Sequence, residues 1–535
     1  MHQVLEIPEI VHEICLHCND RTNASNARVC KLWSDISLDV LWYECSLRPF
    51  LGLFGELERT GISTKDLSYR TTPTIKNWQR FEHCYQRRIR VLRCPSERTA
   101  QALKEPLIVL SLSKPQGALL PNLHTIDWVG TFGSGLGEPA VMFMHSEVRC
   151  FMARISEGAS DIGLFLEAIP HRVPNLSTFE IWTRHHQSHI AAVLQNLPNL
   201  KRVRFPAFSD SSLIMEAVSK SQIEQIHCNV GIVETLNLSG NTWSRTLQVL
   251  DINCTYSAAA RLFKAPLPVT YIRIASSTPA SPKDVQSLIS FISQTCTEIQ
   301  SLDLDFTDRH YLVVESLKTT SPDRTTLSDI EPLLSRHDMK LFSLSTGRPI
   351  LMNDEDLRIL ACSWPKLKRL RLSSDPGCLE PDRSKRLTLL SLVQLAQWCP
   401  ELESIGLYLD ATTPYIPQNL PATVPAKNLE NLKQLDIGFS PLDDSARVAS
   451  VLSQILPSPS AALPSTQQRW QQIASISPYI LGEWKTEWEA VRTLLPVLLK
   501  FRQEKDAQLQ EKVDRIRDLE NEILMLREQA LGKVD

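Results

Sequence analysis

The sequence predicts an α/β protein with three parts: a small all-α N-terminal module, an irregular solenoid with parallel strands on its concave face, and a C-terminal helical segment. Short amphipathic helices occupy the N-terminus, an apolar pattern recurs through the middle of the chain, and a helical apolar stripe lies near the end. The predicted ranges are 1–50 for the module, 85–445 for the solenoid, 456–468 for a linker and 469–535 for the C-terminal helices.

Composition indicates a large globular protein. Of 535 residues, 43% are hydrophobic and 22% charged, as in ordinary globular domains. The 57 Lys and Arg against 60 Asp and Glu leave a net charge of −3, so no global basic field indicates nucleic-acid or membrane binding. We expect no membrane span and no signal peptide. The 13 scattered Cys indicate reduced thiols, as in a cytoplasmic or nuclear protein.

The first helix is predicted to begin at Pro8, since a proline at the first helical position loses no hydrogen bond. Ile10, Val11 and Ile14 follow with helical spacing. A second apolar set extends the pattern: Ala27, Val29, Cys30, Trp33, Ile36, Leu38, Leu41 and Trp42. Helices this short leave much apolar surface exposed, so the module needs a docked neighbour or a partner protein.

One cysteine pair, Cys15 and Cys18, has His12 and His17 beside it. A structural zinc site needs four ligands, usually from two such pairs. No second pair lies close by in the sequence, so thiols packed between helices are favoured over a zinc site.

The N-terminal pattern resembles an F-box in its fungal form: Ile7-Pro8-Glu9-Ile10, Ile14, Val29-Cys30-Lys31-Leu32-Trp33 and Leu41-Trp42. It departs from that family in two ways: the segment after Pro8 is one residue shorter than usual, and Asn23 stands where Leu is usual. The resemblance implies binding to a Skp-family adaptor and, through it, to a cullin scaffold. The adaptor-binding residues that it implies are Ile7, Pro8, Ile10, Ile14, Val29, Cys30, Trp33, Leu41 and Trp42. The alternative is a three-helix cap on the next domain.

The middle of the chain repeats one unit: an apolar residue, two variable residues, an apolar residue, one variable residue and a third apolar residue. Clear copies begin at Leu123, Leu176, Leu200, Leu247, Ile299, Leu367, Leu402 and Leu432. Weaker copies begin at Ile89, Val148, Ile223, Val269 and Leu341. Each copy is predicted to form a strand.

Helical apolar spacing precedes several copies and stops at a proline. Pro198, Pro365 and Pro400 each follow such a set and come shortly before a copy. Helix, proline and strand in repeated order predict right-handed units with parallel strands, which must stack to bury their apolar faces. The pattern resembles the leucine-rich repeats of F-box receptors.

The Asn that usually closes a leucine-rich turn is missing. Short polar residues stand at that position: Thr131, Thr255, Thr307, Asp375, Asp410 and Ser440. We expect them to satisfy turn backbone groups in part, although residues after a strand are often polar for no special reason.

No catalytic motif is evident, so we expect a protein that is not an enzyme and has no cofactor. Gly133, Gly135 and Gly137 lack the spacing of a dinucleotide-binding loop. His185, His186 and His189 lack a further ligand of known position, so a solvent-facing loop is favoured there over a metal site.

Alternate strand residues point out of the core, where a partner would bind. The candidate target-binding residues on these strands are Lys201, Arg202, Arg204, Asp251, Asp303, Lys368, Arg369 and Arg371. Separate basic and acidic stripes would favour a protein target of mixed charge over nucleic acid. The alternative is a solvated face without a partner.

Near the C-terminus, prolines at Pro478 and Pro496 are expected to interrupt the helices. A coiled-coil seam follows: Ile516, Leu519, Ile523, Leu526 and Ala530. Its clean part is barely two heptads, so an amphipathic helix docked on the solenoid is favoured slightly over a dimer seam.

These features and the resemblance together predict a substrate receptor of a cullin-type ubiquitin ligase with an unidentified target protein. The alternatives are a non-degradative interaction scaffold and a repeat protein whose N-terminal helices are only a cap.

Overall fold

The structure is a computed structural model of the chain. It describes residues 3–60, 66–94, 96–132, 141–155, 162–183, 185–233, 243–263, 265–278, 280–306, 324–346, 350–374, 386–416, 429, 431–438, 440–456, 474–475 and 483–531. The chain divides into two compact units, which are Met1–Asn253 and Cys254–Asp535. This boundary lies inside the predicted solenoid, and the predicted domain limits stay a prediction.

The first unit contains the N-terminal helices and the first part of the parallel sheet. Its helices are α1 (Pro8–His17), α2 (Asp20–Asn26), α3 (Lys31–Tyr43), α4 (Leu47–Gly52), α5 (Ile75–Cys84), α6 (Glu97–Ala102), α7 (Lys104–Ser113), α8 (Ile162–Arg172), α9 (Gln187–Gln195) and α10 (Ser212–Ser219). Its strands are β1 (Glu44–Ser46), β2 (Leu57–Arg59), β3 (Leu67–Tyr69), β4 (Val91–Cys94), β5 (Thr125–Phe132), β6 (Cys150–Ile155), β7 (Thr178–Trp182), β8 (Arg202–Arg204), β9 (Gln225–Val233) and β10 (Val249–Cys254). The parallel order is β1-β4-β5-β6-β7-β8-β9-β10, and β2 and β3 form a separate antiparallel pair.

The second unit has the same alternation of helix and strand. Its helices are α11 (Tyr256–Ala260), α12 (Pro282–Thr295), α13 (Leu327–Ile330), α14 (Asp354–Ser363), α15 (Leu390–Trp398), α16 (Ser445–Ile455) and α17 (Glu483–Leu531). Its strands are β11 (Tyr271–Ser276), β12 (Ser301–Phe306), β13 (Leu341–Leu344), β14 (Arg369–Leu372), β15 (Ser404–Leu407), β16 (Gln434–Asp436) and β17 (Ala474–Ser475). They pair in parallel in this order.

The predicted α/β class is confirmed, as are the repeated helix–strand units. Strands β4 to β12 and β14 to β16 each begin two residues after the start of a predicted copy. The copy assigned to Leu341 was placed two residues late: strand β13 begins there, and the buried Met339 takes the first apolar position. In β12, Leu302, Leu304 and Phe306 are buried and alternate with more accessible residues, as half-buried strands require.

The helices predicted before Pro198, Pro365 and Pro400 are α9, α14 and α15, and all three end before the proline. Side-chain caps begin other helices of the repeats. At the start of α12, the Ser281 hydroxyl accepts a hydrogen bond from the backbone N–H of Asp284. The Asp284 carboxylate in turn accepts one from the backbone N–H of Ser281. Such a reciprocal cap satisfies two N–H groups that no helical turn can reach.

Two features differ from the expectations. Helix α17 continues through Pro496, because the flanking Leu495 and Leu499 are buried and tertiary packing outweighs the lost backbone hydrogen bond. The sheet also begins earlier than predicted, at β1, directly after α3. Pro478 lies outside the described residues, as do residues 457–468 of the predicted linker.

The polar turn residues that the structure describes do satisfy backbone groups. Thr255 accepts from the N–H of Ala258, and Ser440 accepts from the N–H of Leu409. Asp410 accepts from the N–H of a residue two positions later. The backbone of Thr131 lies in β5, whereas Thr307 and Asp375 fall outside the described residues.

Candidate functional sites

The N-terminal module of α1, α2 and α3 buries few apolar side chains. Val11 and Cys15, on one face of α1, are fully buried. The apolar side chains that stay 41% to 57% exposed are Val4, Ile7, Leu16, Val29 and Tyr43. A module of this size cannot enclose its own apolar residues, and the described residues leave this surface uncovered.

Asn23, the departure from the family pattern, is buried between α1 and α2. Its amide nitrogen Nδ2 donates to the carbonyl oxygen of Cys15 at 2.8 Å. Beside it, Cys15 Sγ lies 3.4 Å from Ser37 Oγ. The Cys15 carbonyl oxygen also accepts from the Cys18 N–H at 3.2 Å, so Asn23 adds a second donor near the end of α1, where carbonyls lack partners farther along the helix. A hydrogen bond thus stands at the position where the F-box pattern that this segment resembles usually has Leu.

Helix α3 is fixed to the first strands of the sheet. It is followed directly by β1, which pairs in parallel with β4. The guanidinium of Arg88 donates to the carboxylate of Asp35 at 3.0 Å and to that of Asp39. Several independent contacts therefore set the orientation of α3 against this part of the sheet.

The nine predicted adaptor residues fall into two groups. Ile7, Pro8 and Val29 are exposed. The remaining residues are half-buried: Ile10, Ile14, Cys30, Trp33, Leu41 and Trp42. Helical spacing places Ile10 and Ile14 in one stripe beside the buried face of α1, and Ile7 is the extended residue that caps the start of that helix. Their predicted role in adaptor binding stays a prediction.

Two of the predicted adaptor residues also hold the module together. Trp33 Nε1 donates to the carbonyl oxygen of Leu5 at 3.2 Å. The ring of Trp42 meets Tyr85 edge-on, with centroids 4.8 Å apart. A substitution of either tryptophan thus changes folding contacts as well as any docking surface.

One row of side chains crosses the first unit on the accessible side of its strands. The parallel register aligns Arg93, Asp127, Met152, Glu180, Arg204 and His227. Neighbouring strands lie about 4.8 Å apart, so opposite charges in the row can meet. Arg204 Nη1 lies 3.4 Å from Glu180 Oε2, and His227 Nδ1 lies 3.2 Å from Asp251 Oδ2. Basic and acidic side chains are mixed within one row, unlike the separate stripes that the sequence suggested.

The adjacent row of the first unit forms a shallow pocket of about 190 Å³. Its lining residues are Ser177, Thr178, Lys201, Arg202, Glu224 and Gln225. Lys201 Nζ lies 2.9 Å from Glu224 Oε1, and Arg202 Nε donates to Gln225 Oε1 at 2.6 Å. Two predicted target-binding residues, Lys201 and Arg202, line this pocket. The other two of this unit lie elsewhere: Arg204 belongs to the row described above, and Asp251 pairs with His227 of that row.

The second unit carries a similar row. The register aligns Arg273, Asp303, Ser343, Arg371, Gly406 and Asp436. Arg273 lies 3.5 Å from Asp303 and 3.4 Å from Asp305, measured from Nε and Nη2 to the Oδ2 atoms. Arg371 Nη2 lies 3.3 Å from Asp436 Oδ2. Each arginine thus pairs with carboxylates from other strands.

Gly406 explains how Arg371 reaches a carboxylate two strands away. Gly406 stands on β15, between Arg371 on β14 and Asp436 on β16. A Cβ at Gly406 would lie 2.9 Å from Arg371 Cγ, closer than unstrained contact allows. The missing side chain therefore lets the arginine lie across the middle strand.

These residues surround a pocket of about 220 Å³. It is lined by Asp303, Asp305, Leu341, Ser343, Arg369, Arg371, Ser404, Ile405, Gly406, Gln434 and Asp436. Of the predicted residues, Asp303, Arg369 and Arg371 line it. Lys368 lies outside and is 3.7 Å from the carboxylate of Glu401.

Sequence reasoning missed Arg273 and Ser343 as members of this row. Each is the fifth residue of its copy, counted from Val269 and from Met339. Alignment of the copies on their first apolar residue would have identified both, since parallel strands in register place equal positions side by side.

The carboxylate of Asp303 is held in an environment that disfavours its charge. Burial raises its pKa, and the nearby Asp305 raises it further. The hydrogen bond with Ser343 and the charges of Arg273 and Arg371 act in the opposite direction without cancelling the rise. This carboxyl therefore takes up a proton more readily than an exposed aspartate.

Several thiols serve as packing groups. Burial raises the pKa of Cys45, Cys254 and Cys399 to about 12 and that of Cys150 and Cys296 to about 11. Such thiols stay protonated at neutral pH and are poor nucleophiles and ligands.

Among the described residues, no three His, Cys, Asp or Glu side chains come together as metal ligands would. His189 Nε2 of the predicted histidine cluster lies 3.8 Å from Glu167 Oε1. The glycines at 133, 135 and 137 lie outside the described residues. No helix in the described ranges is both long and apolar enough to cross a membrane.

Comparisons with known proteins give a match among solved structures alone. No protein-family profile and no curated protein matches the chain. A chain in the crystal structure of a Rad7 and Elc1 complex in yeast is similar at 13% identity and a TM-score of 0.38, covering 78% of this chain and 91% of that one. A chain in the crystal structure of a TLR13–ssRNA13 complex is similar at 13% identity and a TM-score of 0.34, covering 69% of this chain and 54% of that one. The description of the fold therefore depends on the strand register above.

Proposed function

We propose that the chain is the substrate-recognition subunit of a Skp–cullin–F-box ubiquitin ligase, without catalytic chemistry of its own. The N-terminal module binds a Skp-family adaptor, the adaptor links it to a cullin scaffold, and the accessible sheet face binds a target protein. The observation that carries the proposal is the uncovered apolar surface of the module, which includes Ile7 and Val29, two of the residues on which the resemblance to an F-box depends.

The exposure of these side chains supports a docking surface. Ile7 is 43% exposed and Val29 57% exposed, and apolar side chains that form a contiguous exposed patch mark an interaction site. Removing apolar surface from water contributes about 25 cal/mol per Å². An adaptor that covers the module thus gains free energy that folding leaves unused.

The attachment of α3 supports delivery as well as binding. Arg88 and the pairing of β1 with β4 hold α3 against the first strands. A target on the sheet of the first unit then keeps a defined distance from the adaptor. Proximity of this kind accelerates a transfer reaction without acid–base groups from the receptor.

The mixture of positive and negative side chains favours a protein target over a nucleic acid. The pocket of the second unit presents Asp303, Asp305 and Asp436 beside Arg369 and Arg371. A phosphate backbone would approach those carboxylates and meet repulsion. A protein surface that carries both signs can complement both.

A non-degradative cap remains the alternative, and one observation favours it. The ring of Trp42 already packs on Tyr85, so part of the predicted docking surface is used within the chain. In that case the module would shield the end of the sheet and bind no adaptor.

Co-expression of the full chain with a Skp-family adaptor, followed by size-exclusion chromatography, tests the proposal. We expect a stable complex for the native chain and its loss in Ile7→Ser/Val29→Ser. The matched control is Ile75→Ser/Leu112→Ser, which alters side chains that are 77% and 83% exposed elsewhere in the first unit. Equal behaviour of both variants, or no complex at all, would refute the docking surface.

Ubiquitination in cells separates the receptor from a scaffold that binds the adaptor. If the chain is a receptor, the ubiquitination of some cellular proteins should fall when either double variant, Ile7→Ser/Val29→Ser or Arg369→Glu/Arg371→Glu, replaces the native chain. A scaffold that binds the adaptor but delivers nothing would leave every such protein unchanged.

A further inference from the structure

Helix α17 begins with a half that is anchored to the second unit. Trp488, Val491, Leu495 and Leu499 are buried, and α17 packs along α16. Trp488 Nε1 donates to the carbonyl oxygen of Ser440 at 2.8 Å. The sequence favoured docking of the seam that begins at Ile516, whereas the described residues of α17 that pack on the second unit lie before that seam.

Beyond its anchored part, α17 is exposed on every side as far as residue 525. All residues from 504 to 525 are exposed, including Leu509, Ile516, Leu519 and Ile523 at 43% to 62%. Most of the stability of a helix in a protein comes from packing of its amphipathic face, and residues 504–525 have no such packing among the described residues. The apolar stripe that the sequence pattern marks as a seam thus lies uncovered.

We propose that this seam pairs with the same seam of a second copy as a parallel, in-register coiled coil. In a heptad frame, Leu509, Ile516 and Ile523 occupy a positions and Leu519 a d position. Among parallel coiled coils, a β-branched residue at a with Leu at d favours a pair of helices over a larger bundle. Lys512 occupies the preceding d position, so the tight part of the seam begins at Ile516.

The charges beside the seam fit a parallel pair. Arg515 occupies a g position and Glu520 the next e position, so each arginine faces the glutamate of the other copy. An antiparallel pair with Leu519 opposite Ile523 instead places Glu520 opposite Glu520 and Glu522 opposite Glu522. Unlike charges at e and g select partner and direction, and here they select the parallel arrangement.

The pairing is expected to depend on concentration, because the apolar seam is short. Its consequence would be a complex with two sheet faces, which strengthens binding to a target that carries two copies of a motif. Pairing of this kind does not require the adaptor, so the oligomeric state of the chain by itself tests it.

Light scattering coupled to size exclusion of the full chain over a range of concentrations is the test. We expect the mass to rise toward twice 60.5 kDa, and Ile523→Asp to keep the chain monomeric. Leu524→Asp is the matched control, since Leu524 is 56% exposed, Ile523 is 50% exposed, and Leu524 lies off the seam. A monomer at every concentration, or equal effects of the two variants, would overturn the proposal.

Disulfide trapping determines the direction of the helices. Ile516→Cys should give a reducible dimer beyond the background of the native chain, because facing a positions lie within disulfide reach. In the antiparallel pair the two cysteines would be about 15 Å apart along the axis. A dimer without this cross-link would refute the parallel arrangement.

Discussion

The ion pair after strand β15 is a case in which burial sets the size of a mutational effect. Arg386 Nη1 and Asp410 Oδ2 lie 2.6 Å apart, and the two side chains are 9% and 0% exposed. Asp410 also accepts hydrogen bonds from the N–H and hydroxyl of Thr412. Removal of one partner from a buried pair costs about 3–5 kcal/mol, because the other charge stays buried. We expect Asp410→Ala to lower the unfolding free energy of the second unit by about that amount.

An exposed pair of equal length supplies the control. Lys366 Nζ and Asp338 Oδ1 are also 2.6 Å apart, but their side chains are 57% and 70% exposed. Solvent screens such a pair and replaces its contacts. We expect Asp338→Ala to leave the unfolding free energy nearly unchanged, so the comparison isolates burial from distance.

Hydrogen exchange measured on peptides from residues 386–416 is the suitable assay, since a chain of two units need not unfold in one step. Asp410→Ala should accelerate exchange there strongly. Arg386→Leu/Asp410→Leu should accelerate it less, because the buried arginine is removed together with its carboxylate. Equal acceleration by Asp410→Ala and Asp338→Ala would refute the reasoning.

Two further predictions concern the second unit. Burial raises the folded-state pKa of Asp303, so its contribution to stability falls as pH rises through the interval between its unfolded and folded pKa values. Asp303→Asn should therefore raise the urea midpoint at neutral pH and leave it unchanged at pH below that interval; equal effects at both pH values would contradict this. Trp488→Phe keeps an aromatic ring but removes the donor to the Ser440 carbonyl oxygen, at a cost of about 1–3 kcal/mol. Exchange should quicken in residues 483–502, and unchanged exchange would argue against this anchor.

The strands were predictable because their signal is local. Apolar residues at fixed spacing mark a buried strand face whatever its neighbours are. The error at Leu341 arose where two candidate starts lie two residues apart, and the burial of Met339 distinguishes them. Strand β1 was missed because the apolar spacing of Trp42, Cys45 and Leu47 overlaps the helical pattern of the module.

The candidate sites were predictable only in part. The residues of the module came from a linear pattern, but their division into exposed and half-buried groups required the packing of three helices. Asn23 illustrates the limit, since its use at the end of α1 depends on the carbonyl of Cys15.

Local spacing thus determined the class, the order of helices and strands, and the apolar residues of the core. The tertiary structure decided which charges meet. Arg371 and Asp436 are 65 residues apart in the chain, and their contact depends on the register of three strands and on Gly406 between them. It also decided that α17 is anchored at Trp488 and uncovered at Ile516, since the same amphipathic pattern fits either state. Periodicity describes which face of an element is apolar, whereas only the arrangement of neighbours determines what covers it.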